Sequence, residues 1–110
     1  MHWIQLTDEE QLKQIITKSG GKPQVIFKHS TRCSISAVAY QRLQKAQQPD
    51  DVDFYYLDLL AHRSLSNKVA ELFKVHHESP QVLVIRDGKC VYDESHMAIS
   101  MMDIVESARA

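Results

Sequence analysis

The chain has 110 residues, 44% of them hydrophobic and 25% charged, and a formal net charge of −1; that is enough for one core of ordinary composition. The charge balance offers no basic excess to neutralise phosphates, which argues against a nucleic-acid partner. No apolar run approaches the ~20 residues that cross a bilayer, so no membrane role is expected either.

Two cysteines are too few for a disulfide scaffold. They fit a reducing compartment, where cysteines are usually free, catalytic or redox-sensing. The opening Met1-His2-Trp3-Ile4-Gln5-Leu6 has neither the basic nor the long apolar part of a signal peptide. A cytoplasmic location is therefore expected.

Trp3 to Leu6 reads as a short first strand. Thr7 then looks like an N-cap, with Glu10 as its capping-box partner. Leu12, Ile15 and Ile16 recur at helical spacing until Gly20-Gly21 and Pro23 stop the helix. Gln24 to His29 has a short β-branched and aromatic centre, which suits a central strand covered on both faces. Ile35, Val38, Ala39, Leu43 and Ala46 mark one face of a second helix, broken by Pro49-Asp50-Asp51. Val52 to Leu60 is the next strand, and Leu65, Val69, Leu72 and Phe73 describe a third helix. Val82 to Ile85 is a further strand. Asp87-Gly88 is a two-residue hairpin signal, and Lys89 to Tyr92 returns antiparallel. Ser100 opens a last helix, with Asp103 as its box partner and Ile104 and Val105 turned inward.

The order β-α-β-α-β-α-β-β-α predicts an α/β fold. Its mixed sheet of four or five strands lies between two helical layers, as a single domain over residues 1–110.

The chemistry concentrates at Lys28-His29-Ser30-Thr31-Arg32-Cys33-Ser34-Ile35-Ser36, where a strand signal ends and a helix signal begins. A helix N-terminus offers unpaired N–H groups and the positive end of the macrodipole, and both stabilise a thiolate. Arg32 and His29 add nearby positive charge. Ser36 stands where a dithiol motif would place its second cysteine, so the motif is C-x-x-S: a nucleophilic thiol without an adjacent resolving partner. Ser36 is able to donate a hydrogen bond to the Cys33 thiolate but not to form a disulfide. Cys90, in a strand after the hairpin, reads as a small buried hydrophobe; the alternative is a distal resolving cysteine. His29 either polarises Cys33 or is a surface residue at a strand end. His62, His76 and His77 are expected on loops or helix ends. Met97, Met101 and Met102 form an apolar patch near the last helix, read by default as core; the alternative is an exposed patch that binds a client. Two cysteines far apart do not make a zinc site, which usually wants four ligands in tight pairs; no metal is expected.

This arrangement resembles the thioredoxin fold, with Cys33 at the strand-to-helix junction, Ser79-Pro80 directly before a core strand and Asp87-Gly88 at the hairpin. More narrowly, the chain resembles the monothiol bacilliredoxin-like family over nearly its whole length. The pieces that carry this are Phe27 to Ser36, His62-Arg63 with Leu65-Ser66-Asn67, His77-Glu78-Ser79-Pro80-Gln81, and Ser95-His96. Many relatives carry a proline just after the reactive cysteine, where this chain has Ser34 and Ile35. The resemblance implies a monothiol thiol–disulfide oxidoreductase with Cys33 as the catalytic thiol. It implies a cis Ser79–Pro80 peptide facing Cys33, with Thr31, Arg32, Ser36, Ser79, Pro80 and His96 shaping the substrate groove. It also implies bacillithiol or a similar low-molecular-weight thiol as co-substrate, thiolated client proteins as partners, and no tightly bound cofactor. The alternatives are a non-catalytic adaptor that kept the fold, or a redox sensor in which thiolation of Cys33 is the signal.

Overall fold

A buried, uninterrupted apolar centre makes Gln24–His29 the middle of the sheet. In the computed structural model, which describes all 110 residues from Met1 to Ala110, this strand is buried along its whole length. The elements are β1 (Trp3–Gln5), α1 (Glu9–Lys18), β2 (Gln24–His29), α2 (Ser34–Lys45), β3 (Asp53–Asp58), α3 (Arg63–Phe73), β4 (Gln81–Arg86), β5 (Lys89–Ser95), a single 3₁₀ turn (His96–Ala98) and α4 (Met101–Arg109). The sheet has five strands in the order β1-β3-β2-β4-β5. β1, β3 and β2 run parallel, as helical crossovers require, while β4 and β5 are antiparallel. The expected mixed sheet between helical layers is thus what the chain forms.

Alternation along the strands divides the core in two. Ile26, Leu57, Leu83 and Ile85 pack on one face under α1 and α3, with Leu12, Ile15, Leu65 and Val69. Val25, Phe27, Val82 and Val84 pack on the other under α2 and α4, with Ala39, Leu43, Ile104 and Ala108. Each fully buried aliphatic or aromatic side chain here contributes roughly 1.5–3 kcal/mol of transfer free energy. Asp87 (φ 51°) and Gly88 (φ 77°) are both left-handed, the pairing that a two-residue hairpin of the right twist needs.

Local chemistry shifts several expected details. The first helix is capped by Asp8 rather than Thr7, with Gln11 rather than Glu10 as box partner. Asp8 Oδ1 accepts from Gln11 N at 3.1 Å, and Gln11 Oε1 accepts from the backbone N–H groups of both Thr7 and Asp8. A carboxylate is at least as good a cap as threonine, and one glutamine then satisfies two donors. On α2, Ile35 and Val38 are exposed at 44% and 41%, and the inward positions are Ser36, Ala39 and Leu43. Ser36 takes the first inward position because its hydroxyl is hydrogen-bonded there, so the two aliphatic residues rotate out. Leu72 and Met97 are likewise exposed rather than core. A bulge between Val84 and Ile85 marks the β4–β5 pairing, and β5 runs on to Ser95, beyond the expected Tyr92.

Candidate active site around Cys33

Cys33 is the N-cap of α2, with extended backbone angles (φ −108°, ψ 124°) and no hydrogen bond from its side chain to the cap. It is half-buried. Its N–H donates to Ser30 O at 3.2 Å, and its carbonyl accepts from Ala37 N at 3.0 Å. The first turn of α2 holds no carboxylate. The N–H groups and positive dipole of that turn therefore act on the sulfur without an internal counter-charge. Thr31 and Arg32, just before it, are exposed.

Ser36 points away from solvent and is fully buried. Its Oγ accepts the Ser30 N–H at 3.0 Å and lies 2.7 Å from His29 Nδ1. His29 is buried, neither a surface residue nor in direct hydrogen bond with Cys33. Its ring stacks with Tyr40 of α2 at 5.1 Å and Phe27 at 5.7 Å, and lies tilted 5.5 Å from Tyr56 of β3. Burial holds the imidazole below its ordinary pKa, opposed by the charge of Asp58 and by the Ser36 bond. Asp58 pairs with His29 in the parallel register of β2 and β3.

A second group lies at the same end of the sheet. The Ser79–Pro80 peptide is cis, and Pro80 is buried at the start of β4. In the antiparallel register Lys28 opposes Gln81, so Pro80 lies at the end of β2 from which the Cys33 loop leaves. His96 N donates to Pro80 O at 3.0 Å, and His96 itself is left-handed (φ 57°). Its Nε2 lies 3.4 Å from Glu78 Oε1, whose other oxygen is 3.6 Å from His76 Nε2. Arg42 of α2 donates to Met97 O at 3.0 Å, which ties the 3₁₀ turn to the Cys33 helix. Ser79, Pro80 and His96 thus lie at the end of the sheet from which the Cys33 loop leaves, where Ser36 and His29 are also placed.

Lys28, the residue before His29, is a further polar group at this end of the sheet. It is fully buried, its Nζ lies 3.3 Å from His77 Nδ1, and burial pushes its pKa down to about 8. His77 is lowered too, by desolvation and then by the Lys28 charge. The signal was available: a lysine placed directly after the apolar run Val25-Ile26-Phe27 of a central strand is unusual at a buried position. The other thiol, Cys90, sits on edge strand β5. Its Sγ donates to Tyr92 O at 3.3 Å, and burial pushes the thiol up to about 11.

A family profile described as monothiol bacilliredoxin BrxC matches residues 4–104. The chain belongs to the monothiol bacilliredoxin family. Among solved structures, the chain is similar to a protein described as a proposed oxidoreductase with a thioredoxin fold. The two are 34% identical over 94% of this chain and 91% of that one, with a TM-score of 0.81. Thioredoxin from Fasciola hepatica shares 19% identity over 96% and 95% of the two chains, with a TM-score of 0.73. Mitochondrial thioredoxin 3 from Saccharomyces cerevisiae shares 16% over 97% and 93%, with a TM-score of 0.74. These last two show the fold alone. Family and fold together make this a thiol redox protein. No helix is long and apolar enough to cross a membrane.

Proposed function

We propose that this bacilliredoxin-family chain is a cytoplasmic monothiol thiol–disulfide oxidoreductase in which Cys33 removes bacillithiol, or a similar low-molecular-weight thiol, from mixed disulfides on client proteins. The observation that carries the reading is the placement of Cys33. It is half-exposed at the head of α2, with free N–H groups behind it and the Pro80–His96 wall at the same end of the sheet.

Thiol–disulfide exchange then runs in two balanced steps. The Cys33 thiolate attacks the bacillithiol sulfur of the mixed disulfide. A Cys33–bacillithiol bond forms as the client's S–S bond breaks, and the client leaves as a thiolate that takes a proton from solvent. A free bacillithiol thiolate next attacks the bacillithiol sulfur on Cys33, giving bacillithiol disulfide and releasing the Cys33 thiolate. Ser36 offers no thiol to short-circuit the second step, so the external thiol is required. Exposed Thr31 and Arg32 and the Ser79–Pro80–His96 wall are the surfaces that meet client and co-substrate. The Pro80 ring leaves that point of the wall without an N–H.

The test is incubation of the protein with a bacillithiolated client, followed by intact mass and peptide mapping. The reading expects a client thiol released and a single bacillithiol adduct on Cys33, cleared by added bacillithiol. A client bound but never released points to the adaptor reading. An adduct on Cys33 that added bacillithiol does not clear points to the sensor.

A further inference from the structure

Ser36 does more than stand where a second cysteine is missing. It is the third residue of α2, the position whose side chain in a capping box reaches back toward the N-cap, here Cys33. In this chain the hydroxyl reaches further, to the Ser30 N–H on the far side of the loop, and at the same time to His29 Nδ1. One buried oxygen thus pins three segments: the end of β2, the Ser30–Arg32 loop and the first turn of α2.

Resting on the proposed role of Cys33, we propose that His29 is a positioning residue for the Cys33 thiol, acting through the Ser36 hydroxyl, whose single hydrogen His29 either takes or releases. A serine hydroxyl has one hydrogen and two lone pairs. One lone pair takes the Ser30 N–H. When Nδ1 carries no proton, the hydroxyl donates to it and nothing is left for the sulfur. When the ring takes a proton from solvent, Nδ1–H donates to Oγ instead. The hydroxyl hydrogen is then free for the Cys33 thiolate at the N-cap, once rotation of the Cys33 side chain brings the sulfur within reach of Oγ. No bond other than hydrogen bonds changes, and the only proton exchanged is the one His29 takes from water.

The groups facing the ring are consistent with this role. Tyr40 from α2 and Phe27 and Tyr56 from the sheet enclose it, and Asp58 on β3 is the one carboxylate whose charge acts on it. Burial lowers the ring's pKa below its ordinary value, and the Asp58 charge and the Ser36 bond oppose that shift. The sign follows: protonation of His29 favours the thiolate, so Cys33 reactivity falls less steeply on acidification than that of a thiol without this partner.

The experiment is the rate of Cys33 alkylation from about pH 5 to about pH 8 in native protein, His29→Asn, His29→Leu and Ser36→Ala. Circular dichroism checks the fold of each. Asparagine keeps a hydrogen-bonding group near the Nδ1 position but does not titrate. His29→Asn is expected to match native at pH 8 and to fall below it by about threefold to tenfold below pH 6, the worth of one hydrogen bond. Ser36→Ala and His29→Leu are expected to be slower by a similar factor at every pH, because the loop is unpinned. If native and His29→Asn superimpose throughout, or Ser36→Ala reacts like native, the proposal is overturned. Ser36→Ala leaves the aromatic stack intact, so it decides the matter if His29→Leu does not fold. A Cys33→Ser control keeps the two readings apart. Should it retain exchange on a thiolated client, the functional reading fails; should it be inactive while the His29 and Ser36 variants behave like native, only this inference fails.

Discussion

Cys33 and Cys90 are both half-buried thiols in one small protein, yet their surroundings differ. Cys33 terminates a loop at the head of α2, with the amide ends of the helix turned to it and no carboxylate in the first turn. Cys90 lies in the edge strand β5, packed against the core under α1 and α3, with its S–H given to the Tyr92 carbonyl. Burial without a compensating positive end pushes that thiol to about 11. Measured against a free cysteine near 8.5, this means about 300-fold less thiolate at neutral pH, while the more basic sulfur gains only about fifteenfold in intrinsic nucleophilicity. Cys90 is thus slower than an ordinary thiol by about twentyfold on these terms. The two thiols are both partly buried, and what separates them is the helix N-terminus at one and an apolar edge strand at the other.

The largest test of this contrast is Cys33→Ser. It is expected to abolish release of a client thiol from its bacillithiol mixed disulfide, followed as free thiol over time. Persistence of the native rate would transfer the role to Cys90.

The next largest effect comes from Ser36→Cys. Positions 33 and 36 are the N-cap and third residue of one turn, within the reach a short disulfide needs. Mild oxidant is expected to close a 33–36 disulfide, visible by intact mass and by the loss of Cys33 labelling. The new thiol also replaces the hydroxyl that pins Ser30 and His29, so urea unfolding of the reduced variant should show a loss of about 1–3 kcal/mol. An oxidised product linking Cys90 instead would break the comparison.

The smallest effect belongs to Cys90→Ala. Exchange should continue within twofold of native. Stability should fall by about 1 kcal/mol or less, as expected for trimming one partly buried sulfur on an edge strand, measured by urea midpoint.

Much of this was legible in the chain. Strand β2 announced itself through Val25-Ile26-Phe27, and the Asp87-Gly88 pair fixed the hairpin because few other pairs accept two left-handed residues in a row. Cys33 was legible because it lies between two periodicities, the alternation of a strand and the 3.6-residue repeat of a helix. What periodicity misread was the polar residue inside. Ile35 and Val38 looked inward and are exposed, because Ser36 holds the inward position through two hydrogen bonds that no hydrophobic pattern encodes. Of the two readings of His29, the surface one fails, because the ring is enclosed by rings contributed from α2 and β3. Those rings come from segments distant in sequence, so only the assembled sheet brings them together. Lys28 passed as a strand residue although its burial against His77 is the less ordinary fact.

The most direct measurement is site-resolved alkylation of the native protein with iodoacetamide, sampled from about pH 6 to about pH 11 and read by peptide mapping of the Cys33 and Cys90 peptides. At neutral pH the Cys33 peptide should label first, at least about twentyfold faster than the Cys90 peptide. Labelling of Cys90 should climb only as the pH approaches about 11. Equal labelling at neutral pH, or Cys90 labelled ahead of Cys33, would contradict the assignment of Cys33 as the reacting thiol.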